Sequence, residues 1–295
     1  MNELEPRMVV IAGPNGSGKS TVTSGLAQSD KFPAQYINAD DIAKFELSNI
    51  SDALDRNHLA AAMAEERRKS ALESGAAFAF ETVLSTPGKL ALFDEARDRG
   101  FSVDLIFITT AHPSINIDRV NLRVAKGGHP VSAEKISDRY ERAMRLLPSA
   151  IQKSDTAEVY DNTSSTHGPV LVAMKSGDHL DYDDRGLPWV TERLAKPFAE
   201  RSKSRELLRG LVGNELIIDA HVGSQNMYEG VVVGVTAAHL LQRTEGNKLI
   251  LHDLAICAPH ITFLTGQHAT VSYAFGPDGK HLAPKPIERP RRPRP

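Results

Sequence analysis

The sequence predicts an α/β fold, in which a P-loop NTPase parallel sheet with helices on both faces precedes a small, mostly-β C-terminal domain. Residues 13–20 fit the phosphate-binding pattern G-x-x-x-x-G-K-[ST]. Short apolar runs alternate with helical segments through about residue 175, which is typical of a parallel sheet covered by helices. After about residue 210 the apolar period changes to two, which is typical of strands.

Composition limits the functions that the chain can have. Its 295 residues, of which 41% are apolar, suffice for one large or two ordinary domains. A net charge of −2 argues against nonspecific nucleic-acid binding, and no apolar run approaches membrane-spanning length. The single cysteine, Cys257, excludes a disulfide within the chain and fits a reducing compartment. We therefore expect a cytoplasmic protein without a signal peptide that binds neither membrane nor nucleic acid.

The phosphate-binding motif lies in the context that it requires, because the apolar run Met8–Ala12 precedes it and a helical stretch from Thr21 to Gln28 follows. Its glycines let the backbone N–H groups turn towards phosphate oxygens. Lys19 supplies a compact cation for the β and γ phosphates, and the Ser20 hydroxyl is a hard oxygen ligand suited to Mg²⁺. The predicted nucleotide-binding residues are Gly13, Pro14, Asn15, Gly16, Ser17, Gly18, Lys19, Ser20 and Thr21.

The remaining elements of the first 175 residues follow in order. Strands are predicted at 36–42, 77–80, 101–108, 157–161 and 170–174. Helices are predicted at 51–74, 87–99, 115–126 and 133–147, with N-caps at Ser51, Thr86, Ser114 and Ser132. Because ligands of such sheets bind at the carboxyl ends of the strands, the polar residues directly after strands are the candidate site residues.

Two carboxylates stand out among these strand-end residues. Asp40 follows the second predicted strand, where it could accept a proton from a substrate hydroxyl during phosphoryl transfer. Alternatively, Asp40 and Asp41 simply cap the next helix. Glu81, followed by Thr82, could orient a substrate or act on a metal through water, or it could be an ordinary strand-terminal carboxylate. Spacing alone leaves both pairs of alternatives open.

Two arginines share a face of a predicted helix, since Arg119 and Arg123 are four residues apart. Arginines on a lid helix can clamp phosphates and stabilise the charge that develops during transfer. The alternative is a solvated basic face, which is the commoner fate of such a pair. A turn at 127–130 follows the helix and is a candidate hinge, and Arg139 lies in the same helix–turn–helix region.

The alternation of strands and helices ends near residue 175, and we place a domain boundary near residue 205. Beyond it, strands are predicted at 231–235, 248–252 and 269–273, which suggests a small β-barrel or β-sandwich. The expected domains are a P-loop domain at 1–200, a β-rich module at 205–283 and a disordered Pro/Arg-rich tail at 284–295.

An ordered set of segments resembles the zeta toxin family of P-loop kinases. The set comprises the P-loop GPNGSGKST, Ile37–Asp40, Phe80–Thr82, and Arg119–Val131 followed by Arg139 and Tyr140. Val159–Asn162 fits the same pattern, and the resemblance covers about residues 7 to 175. In addition, the stretches 228–242, 249–252 and 271–276 look like the KfrB-type domain of plasmid and mobile-element proteins.

The resemblance implies that the chain transfers the γ-phosphoryl of ATP or GTP to the sugar of a nucleotide conjugate, such as UDP-N-acetylglucosamine. Carried over by position, Lys19 is the phosphate lysine, Ser20 the metal ligand and Asp40 the catalytic base. Glu81 and Thr82 match the substrate-binding strand end, and Arg119 and Arg123 match the transition-state arginines. The resemblance also implies a toxin, with a separate antitoxin protein as partner. The alternatives are a kinase of NAD or another nucleotide, and a non-catalytic NTP-binding switch whose C-terminal module docks on a partner.

Overall fold

Strands and helices alternate from the N-terminus, as the sequence predicts, and build a seven-stranded sheet. The computed structural model of the chain describes residues 5–29, 32–128, 130–223, 227–257, 262–273 and 275. The chain divides into two units, Met1–Lys203 and Ser204–Pro295. The predicted domain limits of 1–200 and 205–283 stay predictions, and the predicted tail at 284–295 lies outside the described residues.

The first unit contains seven strands and six helices that the structure describes. The strands are β1 (Arg7–Ala12), β2 (Gln35–Ile37), β3 (Phe78–Thr82), β4 (Ser102–Thr109), β5 (Thr156–Asp161), β6 (Val170–Ser176) and β7 (His179–Tyr182). The helices are α1 (Lys19–Leu26), α2 (Ala39–Asp41), α3 (Ala53–Ser74), α4 (Gly88–Asp98), α5 (Pro113–Ala125) and α6 (Ala133–Lys153). π-Helical turns follow at Ile42–Glu46 and Val190–Ala195, and the division between the units falls within helix α7 (Lys196–Val212).

The sheet has the strand order β2-β3-β1-β4-β5-β6-β7. The pairs among β1 to β5 are parallel, whereas β6 runs antiparallel to β5 and β7 antiparallel to β6. The predicted parallel sheet is therefore confirmed for β1 to β5, whereas β6 and β7 add an antiparallel edge that the sequence analysis did not predict. The connection from Asp161 to Val170 is too short for a crossover helix, so it returns the chain beside β5 in the opposite direction.

Strand β1 lies at the centre of the sheet, which explains its apolar sequence. Residues Met8–Ala12 are at most 3% exposed, since β3 and β4 flank the strand and helices cover both faces. Val9 and Ile11 pack with Ala79 and Ile108 in one cluster. Burial of this strand fixes the position of its carboxyl end, where the phosphate-binding loop begins.

Two helices begin with caps other than those predicted. Asp52, and not Ser51, caps α3, because its carboxylate accepts hydrogen bonds from two backbone N–H groups, each at 2.8 Å. His112, and not Ser114, caps α5, and its Nδ1 accepts from the Ser114 N–H at 3.2 Å. A histidine ring nitrogen can cap a helix in this way. The usual preference for serine at the N-cap led to a predicted cap two residues after the observed one.

Two further helix limits also differ from the predictions. Pro87 occupies the N-cap position of α4 in place of the predicted Thr86, and no side-chain hydrogen bond caps this helix. Helix α6 begins after Ser132 as predicted, but it continues past Leu147 to Lys153 with Pro148 inside it. Leu147, Pro148 and Ile151 are buried, so tertiary packing outweighs the cost of the proline.

The second unit contains one five-stranded sheet among its described residues, rather than the predicted barrel or sandwich. Its strands are β8 (Ile217–Asp219), β9 (Met227–Val235), β10 (His239–Thr244), β11 (Leu249–Asp253) and β12 (His268–Ser272). Their order is β12-β9-β10-β11-β8, and all pairs are antiparallel except β11 with β8. Leu208 of α7 packs with Leu241, Leu249 and Leu251, so the helix covers an apolar face that a second sheet would otherwise cover. Across the described part of both units, no helix is long and apolar enough to cross a bilayer.

A chain of buried polar side chains crosses this second sheet. Cys257 donates through Sγ to the Tyr273 hydroxyl at 3.3 Å, and that hydroxyl lies 2.8 Å from Nδ1 of His252. Nε2 of His252 lies 3.1 Å from Oε1 of Gln242, whose amide nitrogen donates to Ala269 O at 2.8 Å. The amide orientation therefore puts the imidazole proton on Nε2 and leaves Nδ1 to accept from tyrosine. Protonation of Nδ1 would leave the Tyr273 hydroxyl without its acceptor, so this arrangement fits a neutral histidine.

We expect the second unit to lose stability in acid because of His252. Burial lowers the pKa of His252 from its ordinary value of 6.5 to about 3. Between these values the unfolded chain binds a proton that the folded unit excludes. Stability is therefore complete above pH 6.5 and falls by up to about 1.4 kcal/mol per pH unit as the pH drops towards 3.

Hydrogen exchange of the β10 and β11 backbone amides, followed by NMR and corrected for intrinsic rates, measures this effect. We expect the free energy of opening to decrease below about pH 6.5 in the wild type. His252→Gln should flatten the dependence, because glutamine does not titrate. The exposed His268→Gln is the matched control. A wild-type profile that is flat down to about pH 4 would show that His252 is not the acid-labile group.

Candidate active site

The phosphate-binding loop between β1 and α1 depends on two glycines that cannot carry a side chain. Gly13 has φ 145°, and a Cβ built there would lie 2.0 Å from the carbonyl oxygen of Ile108. Gly16 has φ 79°, and its Cβ would lie 2.5 Å from the carbonyl oxygen of Asn116. The loop is thus pressed against the ends of β4 and α5, and only glycine fits this close approach.

Two polar side chains of the loop are arranged to meet a ligand. The Ser17 hydroxyl is fully buried and has no hydrogen-bond partner among the described residues. Nζ of Lys19 folds back onto the loop and donates to Gly13 O at 2.8 Å and to Pro14 O at 3.1 Å. Because a buried unpaired hydroxyl is costly, and because lysine would gain more from phosphate than from carbonyls, this loop fits a bound phosphate.

The pKa of Lys19 reports which charges surround the loop. Burial of the ammonium lowers its pKa from the ordinary value of 10.5, while Glu81 and Asp40 oppose that shift and Arg123 reinforces it. Three of the predicted site residues therefore lie close enough to Lys19 to act on its charge. The structure brings the P-loop, both strand-end carboxylates and one lid arginine to the same end of the sheet.

Two asparagines to which the sequence analysis gave no role donate hydrogen bonds to the backbone of the phosphate-binding loop. Nδ2 of Asn116 donates to Asn15 O at 2.8 Å, and Nδ2 of Asn162 donates to Ser17 O at 2.7 Å. Arg139 donates to Asn15 Oδ1 at 3.2 Å, which ties helix α6 to the same loop. Asn162 was visible in the sequence only as a polar residue after a strand, and Asn116 gave no signal because it lies inside a helix.

Asp40 lies in the first turn of α2, directly after β2. The cap of this helix is Asn38, whose Oδ1 accepts from the Asp40 N–H at 2.9 Å. The alternative that Asp40 and Asp41 serve as the cap is therefore wrong, and the Asp40 carboxylate has no capping duty. Burial and the neighbouring Asp40 raise the pKa of Asp41, which indicates that two like charges share this turn.

Glu81 and Thr82 are the last two residues of β3. Oε1 of Glu81 accepts from the Thr23 hydroxyl of α1 at 2.9 Å, and the Thr82 hydroxyl accepts from the Leu84 N–H at 3.1 Å. Leu84 has φ 54° and is fully buried, a strained conformation of the kind that clusters at functional sites. The loop after β3 therefore leaves the sheet sharply, next to the Glu81 carboxylate.

A cleft of about 1440 Å³ lies beside the phosphate-binding loop. Its lining includes Asn15 of the loop, the carboxylates of Asp40 and Asp41, and the α5 arginines Arg119 and Arg123. The remaining lining residues are Ala39, Ala43, Lys44, Ser48, Leu54, Arg56, Asn57, His58, Ala61, Leu122, Lys126, Gly127, Gly128, Pro130, Val131, Ser132, Lys135 and Arg139. The cleft is large enough for two ligands of nucleotide size, which supports a site for donor and acceptor together.

The two arginines of α5, Arg119 and Arg123, are held differently. Nη2 of Arg119 donates to the carbonyl oxygens of Thr163 and Ser164, each at 3.3 Å, so this guanidinium also braces the loop after β5. Gly128 turns back over the end of α5, where its N–H donates to Arg123 O at 3.0 Å and an added Cβ would lie 2.8 Å from Arg123 Cγ. The turn after α5 is therefore packed against Arg123, and His129 of the predicted hinge lies outside the described residues.

Positive charge dominates the lining of the cleft. Its cations are Lys44, Arg56, Arg119, Arg123, Lys126, Lys135 and Arg139, against the carboxylates of Asp40 and Asp41. A cleft with this balance attracts an anionic ligand.

The donor set near Ser20 fits Mg²⁺ held mainly by a nucleotide. The Ser20 hydroxyl is a hard oxygen donor, and the charges of Asp40 and Glu81 act on the adjacent Lys19. Among the described residues, no group of three or more His, Cys, Asp or Glu side chains could hold a metal by itself. This matches the usual mode of Mg²⁺, which takes one or two protein oxygens together with phosphates and water.

The fold and the loop define a P-loop nucleotide-binding unit, and sequence comparison gives its family. The zeta toxin model matches residues 1–167, more than half of the chain, and the KfrB domain model matches residues 227–280. The chain belongs to the zeta toxin family, and its N-terminal unit is a P-loop kinase unit. An uncharacterised protein of Haemophilus influenzae is 26% identical over 144 residues, which cover 46% of this chain and 94% of that protein.

Solved structures are similar to the chain at low sequence identity. The AvrRxo1-ORF1:-ORF2 complex crystallised with ATP matches with a TM-score of 0.51 at 15% identity, over 65% of this chain and 65% of that one. A toxin–antitoxin structure, PezAT of Streptococcus pneumoniae, matches with a TM-score of 0.44 at 16% identity, over 58% of this chain and 72% of that one.

Proposed function

We propose that the N-terminal unit transfers the γ-phosphoryl group of ATP or GTP to a sugar hydroxyl of a nucleotide conjugate, with UDP-N-acetylglucosamine as the first candidate acceptor. The observation that carries this proposal is the basic cleft beside the P-loop, whose lining includes Asp40, Arg119 and Arg123. It combines a donor loop, a general-base candidate and charge-stabilising groups at one end of a sheet.

The donor phosphates would occupy the loop. The unpartnered Ser17 hydroxyl and the loop N–H groups would bind phosphate oxygens, and Lys19 would exchange its two carbonyl partners for the β and γ phosphates. Ser20 would hold Mg²⁺, which when bound to the nucleotide neutralises charge on the phosphates. The residues of the loop thus bind and orient the donor without taking part in bond making.

The acceptor hydroxyl would be activated by Asp40. A carboxylate at the start of α2 can take the hydroxyl proton as the oxygen attacks the γ-phosphorus, and Glu81 and Thr82 would hold the sugar beside it. Arg119 and Arg123 would then stabilise the negative charge that builds on the phosphoryl oxygens. This chemistry agrees with the positions of all five side chains at the carboxyl ends of the strands or on the adjacent lid helix.

The charge of the cleft favours an acceptor that has phosphates of its own. A donor triphosphate can engage Lys19 and the lid arginines, but Lys44, Arg56, Lys126 and Lys135 remain along the lining. A second anionic group, such as the diphosphate of a nucleotide sugar, would balance them. NAD has the same feature, so it is the second candidate acceptor.

Measurement of ADP release with a panel of acceptors tests this preference. We expect turnover with UDP-N-acetylglucosamine to exceed turnover with free N-acetylglucosamine by about tenfold or more, since the free sugar lacks the phosphates. Turnover with NAD alone would favour the second candidate. Binding of ATP without turnover on any acceptor would favour the alternative of a non-catalytic switch.

We further propose that the protein acts as a cytoplasmic toxin with a separate antitoxin as partner. This rests on family membership and on the essential role of nucleotide sugars in bacterial wall synthesis. Expression in a bacterium should then stop growth, and Asp40→Asn should relieve the arrest at equal protein level. Normal growth at high expression of the wild type would contradict the toxin role, while leaving the kinase reaction to the assay above.

A further inference from the structure

A chain of side-chain hydrogen bonds links the two carboxylates proposed for the reaction. The Thr23 hydroxyl donates to Glu81 Oε1 at 2.9 Å. Glu81 also lies close enough to the Tyr36 hydroxyl for its charge and a side-chain hydrogen bond to raise the pKa of the tyrosine. Nδ2 of Asn38 donates to the Tyr36 hydroxyl at 2.9 Å, while Oδ1 of Asn38 accepts from the Asp40 N–H at 2.9 Å. The chain thus runs from α1 through β3 and β2 to the first turn of α2.

The chemistry of the groups fixes the direction of these bonds. An ionised Glu81 can only accept, and the Asn38 amide nitrogen can only donate. The Tyr36 hydroxyl therefore accepts a hydrogen bond from Asn38 and donates one to Glu81. Burial and the charge of Glu81 raise the pKa of Tyr36 above its ordinary value of 10, so the phenol keeps its proton at physiological pH. The Tyr36 hydroxyl is therefore available as a hydrogen-bond donor to the carboxylate.

We propose that Tyr36 is a positioning residue that sets the place of Glu81 and, through Asn38, that of Asp40. The inference rests on the proposed function, in which Glu81 holds the acceptor sugar and Asp40 takes its proton. A reaction of this kind needs the two carboxylates in a fixed relation, because a small displacement of the reacting groups lowers the rate strongly. Tyr36, a residue of β2, would connect Glu81 and Asp40 through hydrogen bonds without contacting the substrate.

The competing explanation is that Tyr36 only fills space. Its ring packs against the cluster of Val9, Ile11, Ala79 and Ile108, and it lies 6.0 Å from the Phe32 ring. Phenylalanine would satisfy that packing equally well. Tyr36→Phe therefore removes the hydroxyl alone and separates the two explanations.

The chain offers a matched control in Tyr160. This tyrosine packs against the same cluster, and its hydroxyl donates to a glutamate, Glu158, at 2.6 Å. Neither residue belongs to the proposed site. Tyr160→Phe thus repeats the chemical change in the same core without touching Glu81 or Asp40.

Steady-state kinetics with Mg-ATP and UDP-N-acetylglucosamine provide the first test. We expect Tyr36→Phe to lower kcat roughly tenfold and to raise the KM of the acceptor, because both carboxylates shift. The affinity for ATP should stay unchanged, since the P-loop contacts are intact. Tyr160→Phe should match the wild type. Equal kinetics of Tyr36→Phe and wild type, or an equal loss in both tyrosine variants, would overturn the inference.

Hydrogen exchange of the Asp40 backbone amide provides a second test that needs no acceptor. Loss of the tyrosine hydroxyl frees one end of Asn38, so we expect this amide to exchange several-fold faster in Tyr36→Phe than in the wild type or Tyr160→Phe. Unchanged exchange would contradict the link between Tyr36 and Asp40. If the wild type phosphorylates no acceptor, the proposed function fails while this measurement still decides the inference.

The substitution Asn38→Asp tests two interactions of residue 38 separately: its cap bond with the Asp40 N–H and its hydrogen bond with Tyr36. Aspartate retains an oxygen that accepts from the Asp40 N–H, but it has no amide proton for Tyr36. We expect the Asp40 amide to keep most of its protection in this variant while kcat falls as in Tyr36→Phe. Wild-type kcat in Asn38→Asp would show that the cap alone positions Asp40, and the role of Tyr36 would be wrong.

Discussion

Lys19→Ala should abolish phosphoryl transfer while the protein stays folded. Its ammonium donates to two loop carbonyls, and its pKa is lowered by burial, so the folded protein gains little from this charge. The donor phosphates, by contrast, would lose their closest cation. We expect kcat/KM to fall by at least about 10²-fold, measured as ADP release under saturating acceptor, with an unchanged circular dichroism spectrum and melting temperature.

The exposed Lys69→Ala is the control for removal of a lysine charge. Lys69 lies on α3 and pairs only loosely with Glu73, at 3.9 Å. The Lys69→Ala substitution should leave both turnover and melting temperature unchanged. Full turnover in Lys19→Ala would mean that the loop does not bind the donor as proposed, and unfolding of that variant would instead give Lys19 a structural role.

Asp40→Asn should lower kcat by about 10²- to 10⁴-fold, the usual contribution of a positioned general base. Asparagine has the same shape but cannot take the proton of the acceptor hydroxyl. The hydrogen bond from the Asp40 N–H to Asn38 involves only the backbone of residue 40, so the helix turn should persist. We therefore expect ATP to bind with wild-type affinity in isothermal titration, although turnover is nearly lost.

Asp41→Asn is the matched control, since it removes a carboxylate from the same turn and the same cleft. It should change kcat by less than about tenfold, because only one carboxylate serves as the base. Loss of ATP affinity in Asp40→Asn would make that residue a metal or structural group. A larger loss in Asp41→Asn would assign the base to its neighbour.

The nucleotide-binding half of the fold was predictable because its local signals agree with its tertiary contacts. The apolar run Met8–Ala12 forms the central strand, and the loop after it requires glycine at positions where a side chain would meet the backbone. The carboxyl end of β3 at Glu81 could be located for the same reason, since parallel strands end at one edge of the sheet. The predicted strand at 36–42 was too long, because β2 ends at Ile37 and Asp40 lies in α2.

Other features depend on contacts between residues far apart in the chain, which a single sequence does not reveal. Asn116 supports the loop from 101 positions away, and its polar side chain inside a helix gives no pattern. Tyr36 looks like an ordinary strand residue, and only the fold brings it to Glu81. The antiparallel edge follows from a short connection after Asp161, and residue types alone did not distinguish that connection from a crossover.

The mass of UDP-N-acetylglucosamine after incubation with Mg-ATP and the 295-residue chain tests the central claim most directly. We predict that wild-type protein adds one phosphate to the sugar, that the phosphate comes from the γ position of isotopically labelled ATP, and that Lys19→Ala and Asp40→Asn add almost none. Unmodified UDP-N-acetylglucosamine in the presence of folded protein that binds ATP would contradict the proposed acceptor. If NAD and other nucleotide conjugates were also unmodified, the kinase function itself would be contradicted.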